Sequence, residues 1–259
     1  MAYLLDNQQS EAGERFGAIN RMFNRRTFDR LDQVGIGAGW RVWEVGAGSS
    51  SVPAWLAGQV GPDGEVLATD LDTTWLDADA GFTTLRHDVA AEPPPGEGFD
   101  LVHSRMVLLH VPGRDQALAS MIQALRPGGW LVLEDIDPLM QPLSCPDVYA
   151  PEHRRANRLR EGFRTLLASR GADLAYGRPA PRRLREAGLT EIEAEGYFPL
   201  SMPDCAVLEA ATIRQIRDDL IARDLATATE IDDHLAYVAT DPGQFATSAI
   251  ITAWGRKPL

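Results

Sequence analysis

The chain has only two cysteines, Cys145 and Cys205, and they lie far apart without the spacing of a metal site. A disulfide scaffold and a cysteine zinc site are excluded, and both residues read as reduced thiols of a cytoplasmic protein. A basic excess is also missing. Lys and Arg number 25 against 37 Asp and Glu, for a formal net charge of −12. A broad nucleic-acid surface, which needs a positive face, is therefore not expected. The local arginine clusters (Arg154, Arg155, Arg158, Arg160 and Arg178, Arg182, Arg183, Arg185) read as solvated helix faces. No apolar run approaches the roughly 18 residues that cross a bilayer. The start, Met1 to Asp6, has no basic region followed by a long apolar core, so it does not read as a signal peptide. There is no internal repeat, and Pro93-Pro94-Pro95-Gly96 is a loop. With 259 residues, 44% hydrophobic and 24% charged, the chain suits one large α/β domain.

What is present is organised around Arg41-Val42-Trp43-Glu44-Val45-Gly46-Ala47-Gly48-Ser49-Ser50-Ser51. Val42, Trp43 and Val45 predict a short buried strand. Gly46 and Gly48 allow a sharp turn and close approach of a ligand to bare main chain. The serines that follow are good N-caps for a helix, whose free N–H groups receive anions and carboxylates. A dinucleotide fingerprint would need a third glycine where Ser51 stands, and a phosphate loop would need a lysine that is absent. Glu44, two residues before the first glycine, suits a cationic ligand better than a diphosphate. A second strand over 65–69 ends at Asp70, about 20 residues beyond the turn, where one carboxylate can accept both hydroxyls of a ribose. Asp70 can also be read as a helix cap beside Asp72.

The rest of the chain extends an alternating pattern. Residues 1–9 read as a loose arm and 10–31 as one or two helices carrying Phe16, Ile19 and Phe23. The first strand covers 40–45 and a short helix follows at 51–58. The third strand, 83–86, runs into His87-Asp88-Val89, where Asp88 can also serve as a turn former. The fourth begins at Phe99-Asp100-Leu101-Val102. A helix over 114–125, with Leu118, Met121, Ile122 and Leu125 at helical spacing, stops at Arg126-Pro127-Gly128-Gly129 before a fifth strand, 130–135. Further helices are predicted over 150–170 and 178–187, a sixth strand over 191–197, two helices within 205–240, and a last strand over 245–254.

In that order, Glu44-x-Gly46-x-Gly48, Asp70, Phe99-Asp100-Leu101-Val102, Leu109-His110 and the run Leu125 to Asp135 resemble the class I S-adenosylmethionine-dependent methyltransferases, in particular their small-molecule, UbiE-like (type 11) branch. The resemblance covers about 40–135 closely and 178–197 and 245–257 more loosely. It implies a Rossmann-like α/β fold: a seven-stranded sheet, mostly parallel with the last strand antiparallel, helices on both faces, and helical lid insertions. It implies one domain over 1–259, with cap helices at 10–31 and substrate lids at about 136–177 and 199–243. S-adenosylmethionine is the implied cofactor, held by Glu44, Gly46, Gly48, Ser49, Asp70, Leu71, Asp88, Val89, Ser104 and Arg105. In this family Asp88 and Val89 take the place of the adenine contacts.

No metal is implied, because Ser104 stands where metal-dependent relatives carry an aspartate. The N/D-P-P-Y signature of amino methyltransferases is replaced by His103-Ser104-Arg105-Met106. The implied reaction is in-line methyl transfer to a small-molecule acceptor, with secondary metabolism as a fitting context and no nucleic-acid or membrane partner. Helical lids in such enzymes often pack across a dimer, which leaves a homodimer open. If a general base is used, His110 has the best position. His103 reads as structural; Glu134 and Asp135 read either as ligand-facing or as turn caps. Three other readings stand beside this one: the same cradle catalysing a cyclisation or isomerisation; an NAD-dependent oxidoreductase, disfavoured by Glu44 and Ser51; and a non-enzymatic partner subunit of a methyltransferase complex, disfavoured by Glu44, Asp70 and Asp88 together.

Overall fold

The computed structural model describes residues 4–77, 79–240 and 242–259. The chain divides into two compact units, interleaved in sequence. One is formed by Met1–Phe23, Asp137–Ala175 and Tyr197–Ala249, the other by Asn24–Ile136, Tyr176–Gly196 and Ile250–Leu259.

The second unit holds the sheet. Its strands are β1 (Arg41–Val45), β2 (Glu65–Asp70), β3 (Thr83–Arg86), β4 (Phe99–Arg105), β5 (Leu125–Asp137), β6 (Thr190–Tyr197) and β7 (Ala249–Arg256). They lie in the order β3-β2-β1-β4-β5-β7-β6. The pairs from β3 through β5 are parallel, and β7 is antiparallel. This is the seven-stranded Rossmann-like sheet implied above. The helices of this unit are the second half of α1 (Glu11–Gln33), α2 (Ser51–Val60), α3 (Arg114–Ala124) and α5 (Ala180–Glu186).

Parallel strands buried on both sides show their alternation in what each face packs against. Trp43, Val45, Val102, Leu131 and Leu133 face one core, with Leu118 and Met121 of α3 and Leu184 of α5. Val42, Leu101, Val132 and Trp254 face the other, with Leu31 of α1 and Val52 and Leu56 of α2. On that second face Phe28 of α1 stacks on Trp55 of α2, ring centroids 4.4 Å apart.

Several boundaries move. The 10–31 segment is one helix. The Arg126-Pro127-Gly128-Gly129 stop is absorbed into β5 as a register shift: Phe99 pairs with Leu125, whereas Leu101 pairs with Trp130. Gly129 is needed there, since a Cβ would sit 2.9 Å from the Phe99 carbonyl oxygen. Lys257, the one lysine in the chain, pairs its backbone with Gly128 and Gly129. Its ammonium donates to the carbonyls of Ile122, Gln123 and Leu125, closing the end of α3 as a cation should.

The first unit is helical: the start of α1, α4 (Pro151–Ser169), α6 (Pro203–Gln215), α7 (Arg217–Ala222) and α8 (Ala228–Thr240). The expected pair of helices within 205–240 is three, because the backbone breaks once at Ile216. The helical spacing of Ile213, Ile216 and Leu220 survives that break, and all three are buried. The predicted last strand begins four residues late, since Ala246 makes only an isolated bridge to Leu200.

The loose arm is also corrected. Leu4 and Leu5 are buried in this unit's core with Leu159, Leu166 and Ile216; residues 1–3 of that arm lie outside the described residues. Arg160 is not on a solvated face. It pairs with the buried Glu209 at 2.6 Å, and His234 holds the other Glu209 oxygen at 3.1 Å. Among the described residues no helix is long and apolar enough to cross a membrane.

Candidate functional site

In this strand order the direction of winding reverses at β1, between β2 and β4, and open α/β sheets bind ligands in the crevice beyond such a point. The glycine loop sits there. Gly46 and Gly48 have φ of 64° and 62°, the left-handed region that glycine enters without penalty. A Cβ on Gly46 would overlap Val107. The loop is tied down by Ala47 N–H to the Thr69 carbonyl at 3.0 Å.

Asp70 is not a helix cap. Its carboxylate accepts the Gly48 N–H at 2.8 Å and the Asp72 N–H at 3.1 Å. The acid at the end of β2 therefore fixes the second glycine of the loop. Burial, the largest effect, pushes the Asp70 carboxyl up, against these backbone donors. Next to it, Leu71 is about half exposed, at 53%, and offers apolar surface at the crevice. Asp88 accepts the Ala90 N–H at 3.0 Å in a tight turn. Val89 is buried in the core with Trp43 and Leu109.

The serines do not cap α2 as predicted. Ser50 has no side-chain cap bond; its hydroxyl accepts the Asp77 N–H at 2.6 Å. The Ser51 hydroxyl accepts from Asn24 of α1 at 2.6 Å. Both hydroxyls are taken by neighbouring segments instead.

At the end of β4, Ser104 lies in register with Val45. Its hydroxyl is buried without a hydrogen-bond partner among the described residues. Arg105 Nη1 donates to Asn24 Oδ1 at 3.0 Å and to Thr27 Oγ1 at 3.1 Å. Met106 follows with φ 58°, a left-handed conformation uncommon for a methionine and typical of strained turns at sites. His110 lies on the single 3-10 turn Leu108–His110 that comes next.

Glu134 and Asp135 are neighbours on β5, 2% exposed each, and strand alternation sends them to opposite faces. Their charge states also part. Glu134 is on the face of Glu44 and His103. The imidazole of His103 lies 2.6 Å from Glu44 Oε2 through Nδ1 and 3.3 Å from Glu134 Oε2 through Nε2. A carboxylate on each ring nitrogen requires a proton on both, so His103 is an imidazolium. Burial lowers its pKa, but Glu44 and Glu134 outweigh that and bring it to about 9. Burial likewise raises Glu134, and the bond and charge of His103 turn the balance, holding it below the usual range.

Asp135 feels only the charge of Arg114, the smallest of the effects acting on it. Its Oδ2 accepts the Leu108 N–H at 3.0 Å and its Oδ1 is buried without a partner among the described residues. Burial pushes it up to about 8, so at neutral pH it is a protonated carboxyl that anchors the turn carrying His110.

A folded-state pKa above the unfolded value of 3.8 means that Asp135 costs stability as the pH rises from about 4 to about 8. Asp135→Asn removes that slope. The variant is expected to gain on the wild type across that window, by several kcal/mol in all, with no further gain above about pH 8. Thermal melts in a pH series measure this, and parallel curves for the two proteins would contradict it.

The structure thus brings Glu44, Gly46, Gly48, Ser49, Asp70 and Ser104 together around one loop, with Leu71 and Arg105 beside it. Val89 turns into the core. Sequence reading missed Asn24, Thr27 and Thr252, which supply hydroxyl and amide groups to the same place. The available signal was a polar residue buried within each of two neighbouring strands, Glu44 in β1 and His103 in β4, which are register partners.

Residues 43–133 match the family model described as a methyltransferase domain. The ubiquinone/menaquinone biosynthesis C-methyltransferase UbiE of Vibrio vulnificus is 34% identical over 139 residues, 49% of this chain and 52% of that protein. The chain spans about half the length of the curated relatives it matches. Among solved structures, phosphoethanolamine N-methyltransferase 2 of Haemonchus contortus, bound to phosphomonomethylethanolamine and S-adenosylhomocysteine, aligns over 100% of this chain and 61% of its own, at 16% identity and a TM-score of 0.62. The [4+2]-cyclase SpnF aligns over 91% of this chain and 81% of its own, at 18% identity and a TM-score of 0.55. At these identities the structural likeness speaks for the fold.

Proposed function

We propose that this chain is a class I S-adenosylmethionine-dependent methyltransferase that transfers the methyl group of that cofactor to a small-molecule acceptor. The observation that carries the reading is the bond from the Gly48 N–H to Asp70, which sets an acid at the end of β2 against the glycine loop. The residues fit the cofactor. The Ser104 hydroxyl, buried beside the loop, has no partner among the described residues, as a group awaiting a ligand would. Gly46 to Ser49 would cradle the methionine end, Asp70 the ribose hydroxyls, and Leu71 and Asp88 the adenine. Bound, the cofactor supplies an electrophilic methyl group on a sulfonium.

The rest of the work is positioning. Glu44 is 2% exposed and already paired with His103, so its role is to shape the loop wall more than to add net charge. Asp135 holds the Leu108–His110 turn. His110 is the group that takes the acceptor's proton on an imidazole nitrogen when the acceptor is a hydroxyl or phenol.

Calorimetric titration tests the cradle. Micromolar binding of S-adenosylmethionine and none of NAD is expected. Asp70→Ala should weaken cofactor binding by about 2 kcal/mol or more, the worth of charge-assisted hydrogen bonds. Binding of NAD alone, or an unchanged affinity in the variant, would overturn the reading. A second reading, cyclisation on the same cradle, draws on the fold shared with SpnF. It is separated by assay, since a methyltransferase releases S-adenosylhomocysteine in step with product and a cyclase releases none.

A further inference from the structure

The two flanks of the glycine loop, Glu44 before it and Ser51 after it, are joined by a second route that does not follow the chain. From Ser51 the hydroxyl accepts Asn24 Nδ2 at 2.6 Å. Asn24 Oδ1 accepts Arg105 Nη1 at 3.0 Å, and the same nitrogen donates to Thr27 Oγ1 at 3.1 Å. Thr27 donates onward to Glu134 Oε2 at 2.5 Å. Glu134 is held from its other oxygen by Thr252 at 2.9 Å and passes to His103 and so to Glu44. Thr27, His103, Glu44 and Glu134 are all buried. Two carboxylates are matched by two cations, so the set is neutral as a whole, and a buried charge cluster is tolerated only when paired in this way.

We propose that this path is a relay that sets the opening of the cofactor cradle from beneath, making Asn24, Thr27, Arg105 and His103 positioning residues whose seating on α1 governs cofactor affinity. The proposal rests on the reading of the loop as a cofactor cradle. Its physical basis is that each member has one arrangement satisfying its neighbours. Thr27 must accept from Arg105 while it donates to Glu134, and Asn24 must present its oxygen to Arg105 while its amide holds Ser51. A network in which each group's donor or acceptor role depends on its neighbour transmits a loss at one end to the other. The cofactor's amino-acid end would meet the loop between those two ends, so a slackened relay widens the cradle.

The test uses the full chain and four variants: Asn24→Ala, Thr27→Val, the conservative Thr27→Ser, and Arg25→Ala as a control on the exposed side of α1, where that side chain is 93% exposed. Two readouts are taken after melts establish which variants are folded. One is the Kd for S-adenosylmethionine. The other, which needs no ligand, is the pair of imidazole nitrogen resonances of His103 by NMR.

The expected result is a Kd raised about tenfold in Asn24→Ala and Thr27→Val, and near wild type in Thr27→Ser and Arg25→Ala. The His103 resonances should move in the first two and stay in the control. Folded Asn24→Ala and Thr27→Val proteins that bind as tightly as wild type would overturn the relay. If wild type binds no S-adenosylmethionine at all, the cradle reading fails; the relay is then judged by NMR, and unmoved His103 resonances in folded Asn24→Ala or Thr27→Val overturn it independently.

Discussion

Gly46→Ala is expected to cost about 3 kcal/mol of stability and to remove cofactor binding while leaving the sheet topology intact. Two effects add. The φ of 64° places any Cβ-bearing residue in the left-handed region, at a cost of about 1–2 kcal/mol. The new methyl then overlaps Val107, which sits on the strained turn after β4 and can yield only by displacing that turn. The two terms can be separated. Pairing Gly46→Ala with Val107→Ala removes the overlap but not the backbone cost, so the double variant should recover about half of the lost stability and little of the binding. Melts and cofactor titrations of the single and double variants measure both. A single variant that melts like wild type would show that the loop tolerates a side chain, and its tight turn would no longer explain the choice of glycine.

His103→Leu is expected to be more damaging still, at about 3–5 kcal/mol, the usual cost of removing one partner from a buried ion pair. Leucine fills most of the imidazole's volume, so the loss is electrostatic: Glu44 and Glu134, each 2% exposed, would share a face of the sheet with only Arg105 to offset them. The dependence on pH distinguishes this from a packing defect. The folded pKa of His103, about 9, lies above the ordinary 6.5. Its contribution is therefore present in full below about pH 6.5 and is lost as the pH rises through 9. The gap between wild type and variant should be full below about pH 6.5 and close above pH 9, as wild type loses its imidazolium. A gap of constant size from pH 5 to 10 would mean that the imidazole serves only to fill space.

The parts of this site legible from sequence were those whose chemistry is local. A tight turn demands glycine whatever surrounds it, so Gly46 and Gly48 declared themselves. An acid at the end of a strand stands out against Val66, Leu67 and Ala68. Periodic apolar residues located α3 and α4 to within a residue or two. What was hidden depends on partners distant in the chain. Ser50 and Ser51 look like caps by composition, but their hydroxyls are claimed by Asp77 and Asn24, which no window around residue 50 contains. Asn24 and Thr27 read as ordinary polar positions of an amphipathic helix. Their use becomes visible only when β4 and β5 bring Arg105 and Glu134 beside them. Ile216 carries no glycine or proline to announce the break between α6 and α7, and the segment 245–248 alternates like a strand while making a single bridge.

The interleaving of the sheet has a further consequence in time. β7 lies between β5 and β6, yet it is the last of the seven strands to leave the ribosome. Until residues 249–256 emerge, β5 and β6 have no strand between them, and each carries an unpaired row of backbone groups on the side β7 will fill. Exposed edges of this kind recruit strands from other chains. The nascent protein must therefore keep an open slot in its sheet between the synthesis of β6 and that of β7, and its yield should depend on how quickly translation completes β7, or on a chaperone that covers the slot meanwhile.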